Sequence, residues 1–140
     1  MNTKEKIIMV DMSATLIHHG HIRILKAAKE MGIVIVALTT DEEIKTKKGY
    51  QPELSFEERR EILEAIRYVD EVVPSPWLID ESFLDEHQVD LMIHGHDNSN
   101  PINPDRLLIL PRTQGVSSNI LRSRVLKSVS EMMEAKEKAV

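Results

Sequence analysis

The chain has no cysteine in its 140 residues, which excludes disulfide scaffolds, thiolate metal sites and thiol nucleophiles together. No apolar run approaches the ~20 residues of a membrane-spanning helix. Met1-Asn2-Thr3-Lys4-Glu5-Lys6 leads into only four apolar residues, too few for a secretory signal. Aromatic residues are scarce: Tyr50, Phe56, Tyr68, Trp77 and Phe83 are the full set. Positive charge is in deficit as well. With 18 Lys+Arg against 23 Asp+Glu the formal net charge is -5, so a general footprint for nucleic acid is missing and a phosphate ligand must be held by a local site. These absences predict a soluble, cytoplasmic protein with no nucleic-acid partner and no stable membrane insertion.

The sequence does contain enough apolar residues, 41% of the total, to bury the core of one domain, read here as residues 1–140. Apolar segments of strand length alternate with segments of helical period along the whole chain. Ile7–Val10, Ile33–Leu38, Val72-Val73, Leu91–Ile93 and Leu107–Leu110 read as five strands, several of them apolar without alternation, as strands buried on both faces are. Helices are predicted at about 21–31, 56–67, 80–87 and 118–136, with Gly32 as the stop of the first and Ser55-Phe56-Glu57-Glu58 as a capping box for the second. The order predicts an α/β fold: an open, parallel, five-stranded sheet with helices on both faces.

Ligands of such a sheet gather beyond the carboxyl ends of its strands, and the unusual residues fall there. Asp11–His21 follows the first strand, His94-Gly95-His96-Asp97 the fourth and Pro111–Ser118 the fifth, and the first two of these segments hold five of the six histidines. His18 and His21 flank Gly20 where the first helix begins, so two ring donors can converge with helix-start N–H groups on a phosphate chain. Gly20, lacking Cβ, permits the backbone to lie close to a ligand. Nucleotidyl transfer from a triphosphate needs no enzyme nucleophile, because a phosphate oxygen of the acceptor attacks the α-phosphorus while charge grows on the departing pyrophosphate. Donors and positioning are what the site must supply, and two imidazoles donate, more strongly when protonated. His94 and His96, two apart, would share a face if the strand continues, and with Asp97 they could form a metal site.

His18-His19-Gly20-His21 resembles the H-x-G-H signature of the nucleotidyltransferase superfamily, and the rest of the chain resembles its cytidylyltransferase branch. Ile66–Val72 is similar to the segment after that family's second helix, and Arg112-Thr113-Gln114-Gly115-Val116-Ser117-Ser118 to its R-T-x-G-x-S-[ST] signature. Pro76-Trp77-Leu78-Ile79 with Phe83-Leu84 resembles the enzymes for phosphocholine and phosphoethanolamine, whereas the short length resembles those for glycerol 3-phosphate. The resemblance covers about residues 6–125. It implies a Rossmann-like fold and transfer of CMP from CTP to a small phosphorylated or phosphonate alcohol, with Mg²⁺ arriving on the CTP phosphates and a homodimer as the assembly.

Residue by residue, the resemblance implies that His18, His21, Lys47 and Arg112 serve the transfer. Nucleotide contacts are implied for Ser13, Ala14, Gly20 and His21 after the first strand, and for His94, Gly95 and Asp97 after the fourth. Further nucleotide contacts are implied for Arg112, Thr113, Val116, Ser117 and Ser118. Ser117 and Ser118 also suit a helix cap. The acceptor's anionic end is assigned to a basic loop with Lys45, Lys47 and Lys48, and to Arg67. The chain departs from the family twice, in Met12-Ser13-Ala14-Thr15 where G-x-F-D is usual and in His96 where an acidic residue is more common. An adenylyltransferase and a non-catalytic nucleotide- or metal-binding module are the alternatives. Trp77 is assigned to core or interface packing and His87 to no site.

Overall fold

The structure is a computed structural model that describes residues 5–95 and 98–138. Five strands, β1 (Ile7–Met12), β2 (Ile33–Thr39), β3 (Glu71–Ser75), β4 (Leu91–His94) and β5 (Leu107–Ile109), form one sheet in the order β3-β2-β1-β4-β5. Every pairing is parallel. Because the side-chain period of a strand is two, the apolar runs supply both faces. Ile8, Val10, Val34, Val36, Leu38, Val72 and Ile93 enter one core cluster, while Met9, Ile35, Ala37, Val73 and Met92 enter another. Helices α1 (His19–Met31) and α3 (Phe56–Glu64) bring Leu25, Ala28 and Leu63 to the first, and α4 (Glu81–Glu86) brings Leu84 to the second. This is the open, Rossmann-like α/β sheet expected, with helices on both faces.

Two expectations need correction. The segment read as a basic loop is a helix, α2 (Asp41–Lys48), with Thr40 as N-cap. Only Ile44 in it is buried, so the sequence carries no apolar period to announce it. Its charges nonetheless follow the dipole, with Asp41, Glu42 and Glu43 in the first turn, Lys45, Lys47 and Lys48 in the last, and Gly49 left-handed at φ 78°. Gly32 does end α1, but in extended backbone, φ 163°, rather than as a left-handed cap. It is required by close approach: a Cβ there would meet the Lys6 carbonyl oxygen at 2.1 Å.

The last helix, α5 (Ser118–Lys138), leaves the body of the protein, and Val125, Leu126, Val129, Met132 and Met133 on it are 49–68% exposed. Among the described residues no helix is long and apolar enough to cross a membrane.

Candidate active site

The strand order reverses its connectivity between β1 and β4, and a cleft of about 860 Å³ opens beyond their carboxyl ends. Its floor begins with Asp11 and His94, brought side by side because Val10 is in register with Ile93. His94 Nδ1 lies 2.6 Å from Asp11 Oδ1, and Asn100 donates to the other carboxylate oxygen at 3.4 Å. The chain then turns through Ser13 and Ala14, where Ala14 takes φ 47°. This left-handed alanine costs conformational energy. The turn is strapped from below by Arg59 of α3, a fully buried guanidinium that donates to the carbonyls of Ser13, Thr39 and Leu54 and pairs with Asp41 at 2.6 Å.

The turn delivers the chain to the start of α1, where the two histidines cap the helix reciprocally. The Gly20 N–H donates to His18 Nδ1 at 3.1 Å, and the His18 N–H donates to His21 Nδ1 at 3.0 Å. A nitrogen that accepts from a backbone N–H carries no proton, so the neutral rings hold theirs on Nε2. Both side chains therefore present an Nε2–H donor, their rings 4.0 Å apart, and both line the cleft. Burial and then the neighbouring His18 push the His21 pKa down to about 4. Burial and then His19 lower that of His18. The donors are thus neutral imidazoles at ordinary pH, and protonation, which would strengthen them as donors, would also put an N–H against each backbone donor. Gly20, which lines the cleft, also has an intramolecular reason to lack a side chain. A Cβ there would lie 2.8 Å from the His18 ring and 3.4 Å from Thr113 Cβ, so the glycine admits the capping imidazole and the loop that follows β5.

That loop closes the other side. Arg112, Thr113, Val116, Ser117 and Ser118 line the cleft together with Gly95 and with Ser13 and Ala14. Ser117 Oγ accepts from the Ile120 N–H at 3.1 Å, capping α5 and leaving its hydroxyl hydrogen to donate elsewhere. Ser118 differs. Its hydroxyl donates to the Leu16 carbonyl at 3.1 Å and accepts from the Leu16 N–H at 3.3 Å, so its donor hydrogen ties α5 to the β1 turn.

Of Lys45, Lys47 and Lys48, only Lys48 lines the cleft, its Nζ 5.6 Å from the centre of the Trp77 ring; Lys45 and Lys47 are exposed on α2 outside it. Arg67 is not brought to the site. It lies between α3 and β3, at the amino ends of the strands, with its guanidinium 3.1 Å from the Tyr68 hydroxyl. Asp97, together with His96, falls outside the described residues.

Three further cleft residues escaped the sequence reading. Asp11 had a legible signal, an acid ending an apolar strand in the position that the fold turns into a floor. Tyr50 and Arg122 had none in the local pattern, since the contact between them spans 72 residues. Arg59, beneath the cleft, was signalled by its phase: it recurs with Phe56 and Leu63 on the buried face of α3.

Residues 13–121 match the family model described as Cytidylyltransferase-like. The glycerol-3-phosphate cytidylyltransferase of Staphylococcus aureus is 39% identical over 118 residues, covering 79% of this chain and 87% of that protein. The ethanolamine-phosphate cytidylyltransferase of Mus musculus is 37% identical over 123 residues, which are 79% of this chain but 30% of that longer protein. In fold, the chain is similar to a lipopolysaccharide core biosynthesis protein from Thermoplasma volcanium, with a TM-score of 0.67 at 16% identity over 79% of this chain and all of that one. The capped histidine pair, the R-T-x-G-x-S loop facing it and these likenesses agree: the chain belongs to the cytidylyltransferase-like family of nucleotidyltransferases.

Proposed function

We propose that this enzyme transfers CMP from CTP to a small phosphorylated or phosphonate alcohol, releasing pyrophosphate. The observation that carries the reading is the pair of Nε2–H donors, fixed by reciprocal capping at the start of α1 and facing the loop that starts α5. An oxygen of the acceptor's phosphate or phosphonate attacks the α-phosphorus of CTP, and the bond from that phosphorus to the bridging oxygen of the pyrophosphate breaks. Charge accumulates on the departing oxygen and on the equatorial oxygens. His18 and His21 donate to these oxygens without having to reorganise, because their rings are already held by backbone N–H groups. Arg112, Thr113 and Ser117 hold the nucleotide from the opposite wall, and the positive ends of α1 and α5 add to the field.

A Mg²⁺ ion would enter on the triphosphate. Among the described residues no three His, Asp or Glu side chains converge into a metal cage. The cleft fits an ion held chiefly by phosphate oxygens and water, with Asp11 as the side-chain oxygen ligand within the described cleft, and such an ion would neutralise phosphate charge. Small size of the acceptor follows from one cleft having to seat both substrates. Lys48 is the lysine proposed to hold the acceptor's anionic end.

The test is to mix pure protein with CTP, Mg²⁺ and a panel of phospho- and phosphono-alcohols and to follow pyrophosphate and the CDP product. Product with CTP and little with ATP is expected, since a site hydrogen-bonding cytosine leaves its own groups unpaired against adenine. Equal or faster turnover with ATP would replace this reading by an adenylyltransferase. A homodimer belongs to the same proposal, supported by the family and by the exposed apolar Leu78, 45% accessible, beside half-buried Trp77. Light scattering should give twice 16.0 kDa.

A further inference from the structure

Arg122 lines the cleft and makes four side-chain hydrogen bonds, yet plays no part in the chemistry above. It stands one turn into α5, just beyond the nucleotide-side residues Ser117 and Ser118. Its Nε donates to Glu53 Oε2 at 2.6 Å and one terminal nitrogen donates to Asn119 Oδ1 at 2.7 Å. The other terminal nitrogen donates to the Thr15 hydroxyl and, at 3.1 Å, to the Tyr50 hydroxyl. The guanidinium carbon also lies 4.8 Å from the centre of the Tyr50 ring. One planar group thus joins three parts of the molecule: α5, the turn after β1, and the segment between α2 and α3. A lysine could not do this, having neither the fork nor the planar face.

The joined segment begins where Lys48 ends. Gly49 turns the chain at the end of α2 and Tyr50 follows, so the residue that Arg122 grips by both hydroxyl and ring is two positions from Lys48, which lines the cleft. Thr15, 3% exposed, anchors the far side of the clasp and is one of the departures from the family's G-x-F-D pattern. The carboxylate paired with Arg122 is that of Glu53, from the segment between α2 and α3.

We propose that Arg122 is a positioning residue for the transfer, clasping the Tyr50–Glu53 segment to α5 and thereby fixing the wall that carries Lys48 at its working distance from the nucleotide side. The inference rests on the cytidylyltransferase reading for what the two walls hold. It assigns no contact with the reacting atoms to Arg122.

The test uses the full chain and the variants Arg122→Ala, Arg122→Lys and Glu53→Gln. In ligand-free protein, amide hydrogen exchange in residues 49–54 should accelerate in Arg122→Ala and, less, in Glu53→Gln. In steady-state kinetics Arg122→Ala should raise the acceptor KM on the order of tenfold while kcat changes less than about threefold, the pattern of lost positioning for binding rather than lost chemistry. Arg122→Lys, which keeps the charge beside Glu53 but not the fork, should fall between wild type and Arg122→Ala. A merely structural role would lower the melting temperature and the active fraction, and hence kcat, without moving KM. An active wild type whose Arg122→Ala variant keeps both its acceptor KM and its exchange rates overturns this inference alone. A wild type that forms no CDP product overturns the functional reading and this inference with it.

Discussion

The two ends of the sheet use the same residue types for opposite purposes. At the amino ends Asp90 accepts from the Ile7 N–H and Asp70 from the Val34 N–H, both at 2.8 Å, and each aspartate returns its own N–H to the carbonyl of the same strand residue. Lys6 and Ile33 close the same edge through a 2.8 Å backbone bond. Carboxylates there are spent on backbone N–H groups. At the carboxyl ends Asp11 and His94 face a cleft, and the two capping histidines accept backbone N–H groups through Nδ1 so that Nε2–H points away. An aspartate or a helix start is therefore not a site in itself. Strand direction decides which backbone groups are left over and which side chains must face solvent and ligand.

The sharpest way to test this contrast is to remove the donors while keeping the caps. His18→Asn retains a side-chain acceptor at the N-cap, and His21→Gln retains the acceptor of a capping box at N3. Each should lower turnover by at least ~10²-fold, the scale of losing one oxyanion-type donor, with little change in melting temperature. His18→Ala should show the same kinetic loss plus ~1 kcal/mol of destabilisation from the lost cap. Normal turnover in the Asn and Gln variants would confine both histidines to capping.

Gly32→Ala is the counterpart at the amino end. The new Cβ cannot coexist with the Lys6 carbonyl, so the start of β1 or the end of α1 must move. Denaturant unfolding should show a loss of ~1–3 kcal/mol, the range for forcing extra atoms into packed structure. The folded fraction should keep its KM values, because the cleft is at the other end of the strands. A change in KM with unchanged stability would break the separation between the ends.

A third test uses pH. His21 is held neutral in the folded protein with its pKa near 4, below its ordinary value of 6.5. The unfolded chain thus binds the proton first as pH falls. The stability contributed by the neutral ring is complete above about pH 6.5 and declines as pH drops toward 4, at no more than ~1.4 kcal/mol per pH unit. His21→Gln should flatten that part of the stability profile, measured by urea unfolding across the window. An unchanged slope would place the titrating group elsewhere.

Much of this was legible in the sequence because it lies in local pattern. Five apolar strand-length runs without alternation announced a sheet covered on both faces, but such runs do not specify the strand order or the register of β1 against β4. The histidine pair and the Arg112–Ser118 loop were legible because they sit next to strand ends. What was not legible depends on contacts across the chain or on weak periodicity. Helix α2 buries one residue and looks like a charged loop. Arg59 and Arg60 are adjacent arginines of the same helix, yet one is wholly buried under the Ser13 turn and the other forms an exposed i,i+4 pair with Glu64. Only the phase against Phe56 and Leu63 separates them. Ser118 satisfies the signature but uses its hydroxyl inside the fold, which only the position of Leu16 reveals.

The smallest expected effects concern the basic residues, and they divide by position rather than by charge. Lys47 and Lys48 are adjacent and both exposed on the last turn of α2, so composition treats them alike. A helix advances ~100° per residue, and that rotation turns Lys48 toward the cleft and Lys47 away from it. Arg67 carries the same charge at the far end of the strands. If local charge beside the cleft holds the acceptor's anionic end, Lys48→Ala should raise the acceptor KM by about tenfold, the worth of one charge-assisted contact of ~1.5 kcal/mol, and leave the CTP KM nearly unchanged. Lys47→Ala should move either KM less than about twofold, as expected of an exposed charge without a fixed partner. Arg67→Ala should do the same, its distance from the cleft placing it beyond the ~8 Å over which exposed charges act in physiological salt. Initial rates at saturating CTP with varied acceptor, and the reverse, resolve all three variants. A KM rise in Lys47→Ala equal to that in Lys48→Ala would mean that the acceptor responds to the summed charge of α2 and not to one side chain in the cleft.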